Sequence, residues 1–200
     1  MNARALLLLV ATLLISGTVV WRLTGAAPAE ASSGDRRAQL DQAQLDRVAR
    51  GKYIVTSSGC HDCHTPMKMG DKGPQPDMTR MLSGHPEQLK LPPAPAAQGI
   101  WGISASLTMT AWSGPWGTSF VANITPDAET GLGKWTEDNF VKTIRNGRHM
   151  GSGRLILPPM PIPAFVNFSD DDLKSIFAYL QSVPAVKNRV PAPLAPVAVQ

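Results

Sequence analysis

The sequence predicts an all-α fold, in which a few helices surround one core and a long irregular insertion separates the first helix from the second. Three segments carry helical signals, whereas residues 65–123 show little sustained periodicity. Once an apolar leader is set aside, about 165 residues remain, which is enough for one domain with one core.

The first predicted helix covers residues 39–55. Its apolar side chains mostly recur at three- and four-residue spacings, which places them along one helix face. These side chains are Leu40, Leu45, Val48, Ala49 and Tyr53.

The second and third predicted helices are marked by their caps as well as by apolar spacing. Thr136 is a suitable N-cap for the second helix and Gly147 a suitable stop. For the third helix, Ser169 is the N-cap, the three aspartates that follow complement the helix dipole, and Pro184 ends the helix. The apolar positions are Phe140, Val141 and Ile144 in the second helix, and Leu173, Ile176, Phe177 and Leu180 in the third.

The segment Cys60-His61-Asp62-Cys63-His64 is typical of covalent haem attachment. Two thiols at this spacing can form thioether bonds to one haem, and the histidine after the second cysteine can bind its iron. A zinc site would need a second cysteine pair, which the chain lacks, and a thioredoxin-like dithiol would need a βαβ setting that the flanking residues do not suggest. A disulfide or a metal knuckle stays open as an alternative. We therefore predict one covalently attached haem c.

His64 is the proximal ligand in this interpretation, and its second ring nitrogen needs a fixed acceptor. We expect that acceptor to be the carbonyl of Pro74 or of a residue near Pro66. Met160 is the predicted sixth ligand, because the prolines around it stiffen the strap that carries the thioether. Other candidates with less rigid surroundings are His85, His149, Met67, Met69, Met78, Met81, Met109 and Met150.

Residues 65–123 are rich in Pro, Gly and Met, and a stretch of this length without secondary structure is normally functional or disordered. Three tryptophans argue against disorder: Trp101, Trp112 and Trp116. We expect an ordered, irregular insertion that packs on the haem side of the core.

The ends of the chain suggest export and a peripheral tail. Residues 5–21 are almost continuously apolar, so residues 1–31 are predicted to be a signal peptide or an N-terminal membrane anchor, followed by a flexible tether at 32–38. The haem domain is assigned to residues 39–186 and a proline-rich tail to 187–200. Bacterial haem attachment takes place outside the cytoplasm, so a periplasmic location is expected. The net charge of +4 without a basic run predicts no nucleic-acid partner.

The order of these features resembles a class I, mono-haem cytochrome c. More specifically, the chain resembles the haem modules of bacterial membrane-associated cytochromes, such as the cytochrome c subunits of periplasmic alcohol and sugar-acid dehydrogenases. The resemblance covers about residues 42–185 and is carried by the haem pentapeptide, Asn-Ile-Thr-Pro-Asp at 123–127, Thr-Gly-Leu-Gly-Lys-Trp-Thr at 130–136, Phe140, Arg-Asn-Gly at 145–147 and the Met160 strap. Those subunits usually carry three haem pentapeptides, whereas this chain carries one.

The resemblance implies a small cytochrome c-type helical domain in which Gly51 lets the first helix cross the third near Tyr179 and Leu180. It also implies that Asn123 and Thr125 lie near the haem edge or its propionates. The expected function is the transfer of single electrons between a dehydrogenase and a terminal oxidase or another cytochrome. The protein itself is then no enzyme. Alternatives are a haem enzyme, of the peroxidase or thiosulfate-oxidising type, and a haem sensor with an open sixth position.

Overall fold

Helices α1 and α5 cross at the centre of the computed structural model, which describes residues 33–95 and 102–196. Helix α1 covers Ser33–Ser57 and α5 covers Asp170–Ser182. At the crossing, a Cβ atom added to Gly51 would lie 1.8 Å from the Ser175 carbonyl oxygen and 2.8 Å from Tyr179 Cβ. The expectation that Gly51 permits a close crossing of these helices is therefore confirmed.

Three shorter helices complete the helical part. They are α2 (Cys60–His64), α3 (Glu137–Asn146) and α4 (Ile162–Phe165), and single 3₁₀ turns lie at Met78–Arg80 and His149–Gly151. Helices α1, α3 and α5 share one apolar core, whose buried members include Ile54, Val55, Phe140, Ile144, Leu173, Ile176, Phe177 and Leu180.

The predicted caps of α3 and α5 are confirmed. Thr136 and Asn139 form a reciprocal capping box, with hydrogen bonds of 3.1 and 3.2 Å, and Gly147 ends α3 with a φ of +60°. The Ser169 hydroxyl oxygen accepts a hydrogen bond from the Asp172 amide at the start of α5. Helix α1 begins at Ser33 and thus runs through most of the segment interpreted as a tether.

The prediction of an all-α fold is wrong, because the insertion forms two small antiparallel sheets. Strands β1 (Met67–Gly70) and β2 (Gly73–Pro76) form a hairpin in which Met67 lies opposite Pro76. Strands β3 (Ser104–Ala105), β4 (Ala111–Gly114) and β5 (Gly117–Phe120) form the second sheet in that order, with Ala111 opposite Phe120.

The sequence did not predict these strands, for two physical reasons. Each has four residues or fewer, which is too short to establish a period of two. Several also contain Gly or Pro, which are depleted in strands because they weaken or interrupt the ladder. The turn Pro115-Trp116 between β4 and β5 gave no hairpin signal either, because proline cannot adopt the positive φ that the favoured two-residue turns require.

The segment after α5 crosses the insertion rather than leaving the domain. Its backbone pairs with β5 through Thr118 and Leu194, and the buried Asn188 makes four side-chain hydrogen bonds. The Asn188 amide donates to the carbonyls of Ser83 and His85, and its oxygen accepts from the Arg80 side chain and from the amide of Glu87.

The apolar leader, Trp101 and residues 197–200 lie outside the described residues. Over residues 33–95 and 102–196, the helices do not include one with the length and apolar character of a membrane span.

Candidate haem site

A cavity of about 560 Å³ opens between the helical core, the insertion and the segment after α5. This volume lies within the range of pockets that hold small molecules and cofactors. Its apolar wall includes Val55, Phe140, Ile144, Leu173, Ile176 and Leu180. Five of the six predicted site residues also line it, namely Cys60, Cys63, His64, Asn123 and Met160, whereas Thr125 does not.

Helix α2 presents the two cysteines to the cavity. Gly59, with a φ of +69°, turns the chain between α1 and α2, so Cys60 follows within a few residues of the core helix. Both thiols are free, and burial raises the pKa of Cys60 to about 11 and also raises the pKa of Cys63. Reactive redox dithiols have the opposite property, a lowered pKa, so the thioredoxin-like alternative is disfavoured.

His64 is held as a neutral imidazole with one nitrogen committed. Burial lowers its pKa to about 4, and the hydrogen bond to the Ala122 carbonyl opposes that shift only in part. The Nδ1–Ala122 oxygen distance is 2.8 Å. Because a carbonyl can only accept, Nδ1 carries the proton and Nε2 keeps its lone pair. A neutral imidazole with a fixed tautomer is the form that binds iron.

The expected acceptor for His64 was wrong. The carbonyl comes from Ala122, 58 residues along the chain, instead of Pro74 or a residue near Pro66. Pro74 lies in β2, opposite Met69. A second contact places His64 against the insertion, since its own carbonyl accepts a hydrogen bond from the Gly84 amide at 2.8 Å.

Met160 stands apart from the other methionines of the described chain, because it alone among them lines the cavity. It packs against the apolar core, in the strap that leads into α4. His149 also lines the cavity, with its ring edge-on to Trp135 at 5.1 Å. His85 does not; it is fully buried in the insertion, where one ring nitrogen contacts Thr110 and the other the Leu89 carbonyl.

Asn123 and Thr125 form a buried polar link to the segment after α5. The Asn123 side-chain oxygen accepts from the Thr125 amide and hydroxyl, and its amide nitrogen donates to the Val186 carbonyl at 2.8 Å. Asn123 thus lies at the cavity wall with its polar atoms already engaged. Thr125 lies behind that wall.

The sequence analysis expected the insertion on the haem side of the core, and residues 119–122 of the insertion do line the cavity. It did not place Val190, Pro191 and Pro193, after α5, at the cavity wall. Nothing in the sequence signals that the Ala122 carbonyl faces His64, because the contact depends on folding of the whole insertion. The sequence indicated a proline-rich tail after α5, but not its position.

The donors present fit a haem c. The cavity brings together two thiols, an imidazole with an unprotonated nitrogen and a thioether, inside an otherwise largely apolar wall. These are the groups that covalent attachment and two axial bonds require. Across the described ranges, no cluster of three or more His, Cys, Asp and Glu side chains is arranged to hold a metal ion directly.

Comparison with known proteins points to the same kind of site. No family model matches the chain. The gluconate 2-dehydrogenase cytochrome c subunit of Pantoea cypripedii is 31% identical over 139 residues, which is 70% of this chain and 24% of that protein. The cytochrome c subunit of the quinone alcohol dehydrogenase of Gluconobacter oxydans is 29% identical over 147 residues, 72% of this chain and 23% of that protein.

A shorter match reaches higher identity. One of the subunits of the nicotinate dehydrogenase of Pseudomonas putida is 40% identical over 78 residues, which is 39% of this chain and 6% of that protein. The chain therefore spans about a quarter or less of the length of these curated relatives. The resemblance inferred from the sequence is confirmed: this chain is related to the haem modules of the cytochrome c subunits of bacterial dehydrogenases.

Proposed function

We propose that this protein is an electron-transfer cytochrome, with one haem c attached through Cys60 and Cys63 and bound axially by His64 and Met160. The observation that carries the proposal is the presence of all four donors at one apolar cavity. Haem bound there supplies an iron that takes up and releases single electrons. Two relatives that cover about 70% of the chain are named as cytochrome c subunits of dehydrogenases, which supports a dehydrogenase as the electron donor.

The chain's own residues favour electron transfer over chemistry on a bound substrate. With haem bound, His64 and Met160 would both donate to the iron, so no position would be left open for oxygen or peroxide. The thioether is a soft donor that favours the reduced metal, and the apolar wall keeps water from the site. Both effects raise the reduction potential.

We extend the proposal to location and partners. The apolar residues 5–21 serve as a signal peptide or as an anchor in the cytoplasmic membrane, and the domain operates in the periplasm. Electrons pass from a dehydrogenase to a terminal oxidase or to another cytochrome through a small, weak docking surface. Asn123, at the cavity wall, and Thr125, behind that wall, hold the segment after α5 in place.

The test uses full-length protein exported from a host that attaches haem c. Mass spectrometry is expected to show one haem on the peptide that contains Cys60 and Cys63, and to show whether the leader remains. Met160→Ala is expected to retain the haem, to lose the sulfur-to-iron absorption band of the ferric form, and to bind carbon monoxide when reduced. Met109→Ala is the control, because Met109 does not line the cavity.

Two results would contradict the proposal. Exported protein that is colourless and keeps two unmodified thiols excludes haem attachment. A Met160→Ala spectrum identical to that of the unaltered protein removes Met160 as the ligand. If the unaltered protein already binds carbon monoxide and turns over peroxide, a haem enzyme with an open position is the better description.

A further inference from the structure

One short segment of the insertion contacts both His64 and the strap that carries Met160. We call residues 119–122 the brace; they form the end of β5 and the two residues after it, and all four line the cavity. At one end, the Ser119 hydroxyl lies 2.5 Å from the Pro158 carbonyl oxygen. At the other end, the Ala122 carbonyl accepts the Nδ1 proton of His64.

The Ser119 hydroxyl has one proton and two possible acceptors. The Trp112 carbonyl lies at 3.3 Å and the Pro158 carbonyl at 2.5 Å, so the proton goes to Pro158. Ser119 is buried, with 8% of its surface exposed, whereas Pro158 is exposed. Removal of the hydroxyl would leave the Pro158 carbonyl without this partner.

The strap that carries Met160, residues 157–161, can form few other backbone hydrogen bonds to the rest of the domain. Three of its residues, Pro158, Pro159 and Pro161, have no amide proton and cannot donate to a neighbouring backbone. The Met160 carbonyl accepts from the Ile162 amide at 2.8 Å, which is a contact inside the strap itself. The Ser119 bond therefore links the strap to a separate, more rigid element.

The brace is itself held in place by β4 and by Gly84 and His85 of the insertion. Ser119 pairs with Trp112 in the β4–β5 ladder, and the Val121 carbonyl accepts from the His85 amide at 2.9 Å. The His85 ring also packs on Phe120, with ring centroids 4.8 Å apart. Gly84 approaches so closely that an added Cβ atom would lie 2.3 Å from the Val121 carbonyl oxygen.

We propose that Ser119 is a positioning residue for Met160, and that the brace sets the geometry of both axial ligands from one rigid segment of the insertion. The inference rests on the proposed function, because it takes His64 and Met160 as the ligands. It assigns a role to the insertion that the helical core cannot supply.

The experiment compares Ser119→Ala with the unaltered, haem-loaded protein. The apparent affinity of the ferric form for imidazole is expected to rise about 3- to 10-fold, since the strap loses its hydrogen bond to the brace. The sulfur-to-iron band is expected to weaken, and the Ile162 amide to exchange with deuterium about 3- to 10-fold faster. Ser113→Ala is the matched control, because Ser113 lies in the same sheet and has no contact with the strap among the hydrogen bonds described.

A second variant separates the hydroxyl from the packing. Ser119→Thr keeps the hydroxyl and suits a strand position, and is expected to stay within about twofold of the unaltered protein in imidazole affinity. A Ser119→Thr variant whose imidazole affinity rises as much as that of Ser119→Ala would contradict the inference.

The outcomes distinguish this inference from the proposed function. Unchanged Ile162 exchange and unchanged imidazole affinity in Ser119→Ala overturn the inference, even when Met160→Ala shows that Met160 is the ligand. If the Ile162 amide exchanges faster in Ser119→Ala but the imidazole affinity is unchanged, Ser119 holds the strap without positioning Met160, and the inference is also overturned. If instead Met160→Ala leaves the spectrum unchanged, the proposed ligand fails first, and the inference fails with it.

Discussion

Replacement of Gly51 by alanine tests the central helix crossing, because two known effects predict opposite signs. Alanine is a better helix former than glycine by about 1 kcal/mol, so helix propensity alone predicts a more stable protein. The close packing around Gly51 predicts a less stable protein. The new methyl group would lie 1.8 Å from the Ser175 carbonyl oxygen, and ordinary contact begins at 3.4 Å.

The magnitude follows from that distance. To reach ordinary contact, α1 and α5 must separate locally by roughly 1.6 Å, and the obstacle is backbone instead of a flexible side chain. Overpacking of this kind costs about 1–3 kcal/mol, and a backbone clash belongs at the upper end of that range. With the propensity gain subtracted, we expect a net loss of about 2 kcal/mol, or about 4–8 °C in melting temperature for a domain of this size.

The assay is thermal and denaturant unfolding followed by circular dichroism. Gly102→Ala is the control, because among the described residues no atom, apart from those of its chain neighbours, lies within 4 Å of its added Cβ. It is expected to change the free energy of unfolding by less than about 0.5 kcal/mol. A Gly51→Ala variant as stable as the unaltered protein, or more stable, would show that the helices do not pack this closely.

Two further predictions concern the insertion and the proximal histidine. Asn188→Ala removes four hydrogen bonds, two of them buried, and is expected to lower the free energy of unfolding by about 3 kcal/mol. Asn167→Ala, at an exposed position, should cost less than about 1 kcal/mol; denaturant unfolding measures both. The folded pKa of His64, about 4, lies below its ordinary value of 6.5, so its contribution to stability is fully present above pH 6.5 and is lost as the pH falls towards 4. The free energy of unfolding, measured with denaturant, should therefore fall between pH 6.5 and pH 4, and a stability that stays constant over that range would contradict this account of His64.

Local features of this fold were predictable from the sequence, because their physics is local. The capping residues Thr136 and Ser169 act within three residues of themselves, and the stop at Gly147 needs only its own φ. The position of Met160 at the cavity was also anticipated, since flanking prolines mark a stiff strap. The two sheets and the Ala122 acceptor could not be predicted in the same way. These contacts join residues that are far apart along the chain, and the periodicity of the sequence does not indicate which distant residues meet.

The composition of the insertion explains how such distant contacts become fixed. Among the described residues between 65 and 123, the buried apolar side chains are Pro66, Leu82 and Ala111, while the buried polar ones are Thr65, Ser83, His85, Thr110, Ser119 and Asn123. Apolar contacts tolerate small shifts, but a buried polar group that loses its partner costs about 1–3 kcal/mol. An insertion held mainly by polar groups therefore has few alternative positions, and each displaced hydrogen bond penalises the shift. Because it has few buried apolar side chains, the insertion gives no hydrophobic pattern in the sequence. Its buried polar contacts nevertheless hold the Ala122 carbonyl at a fixed distance from His64.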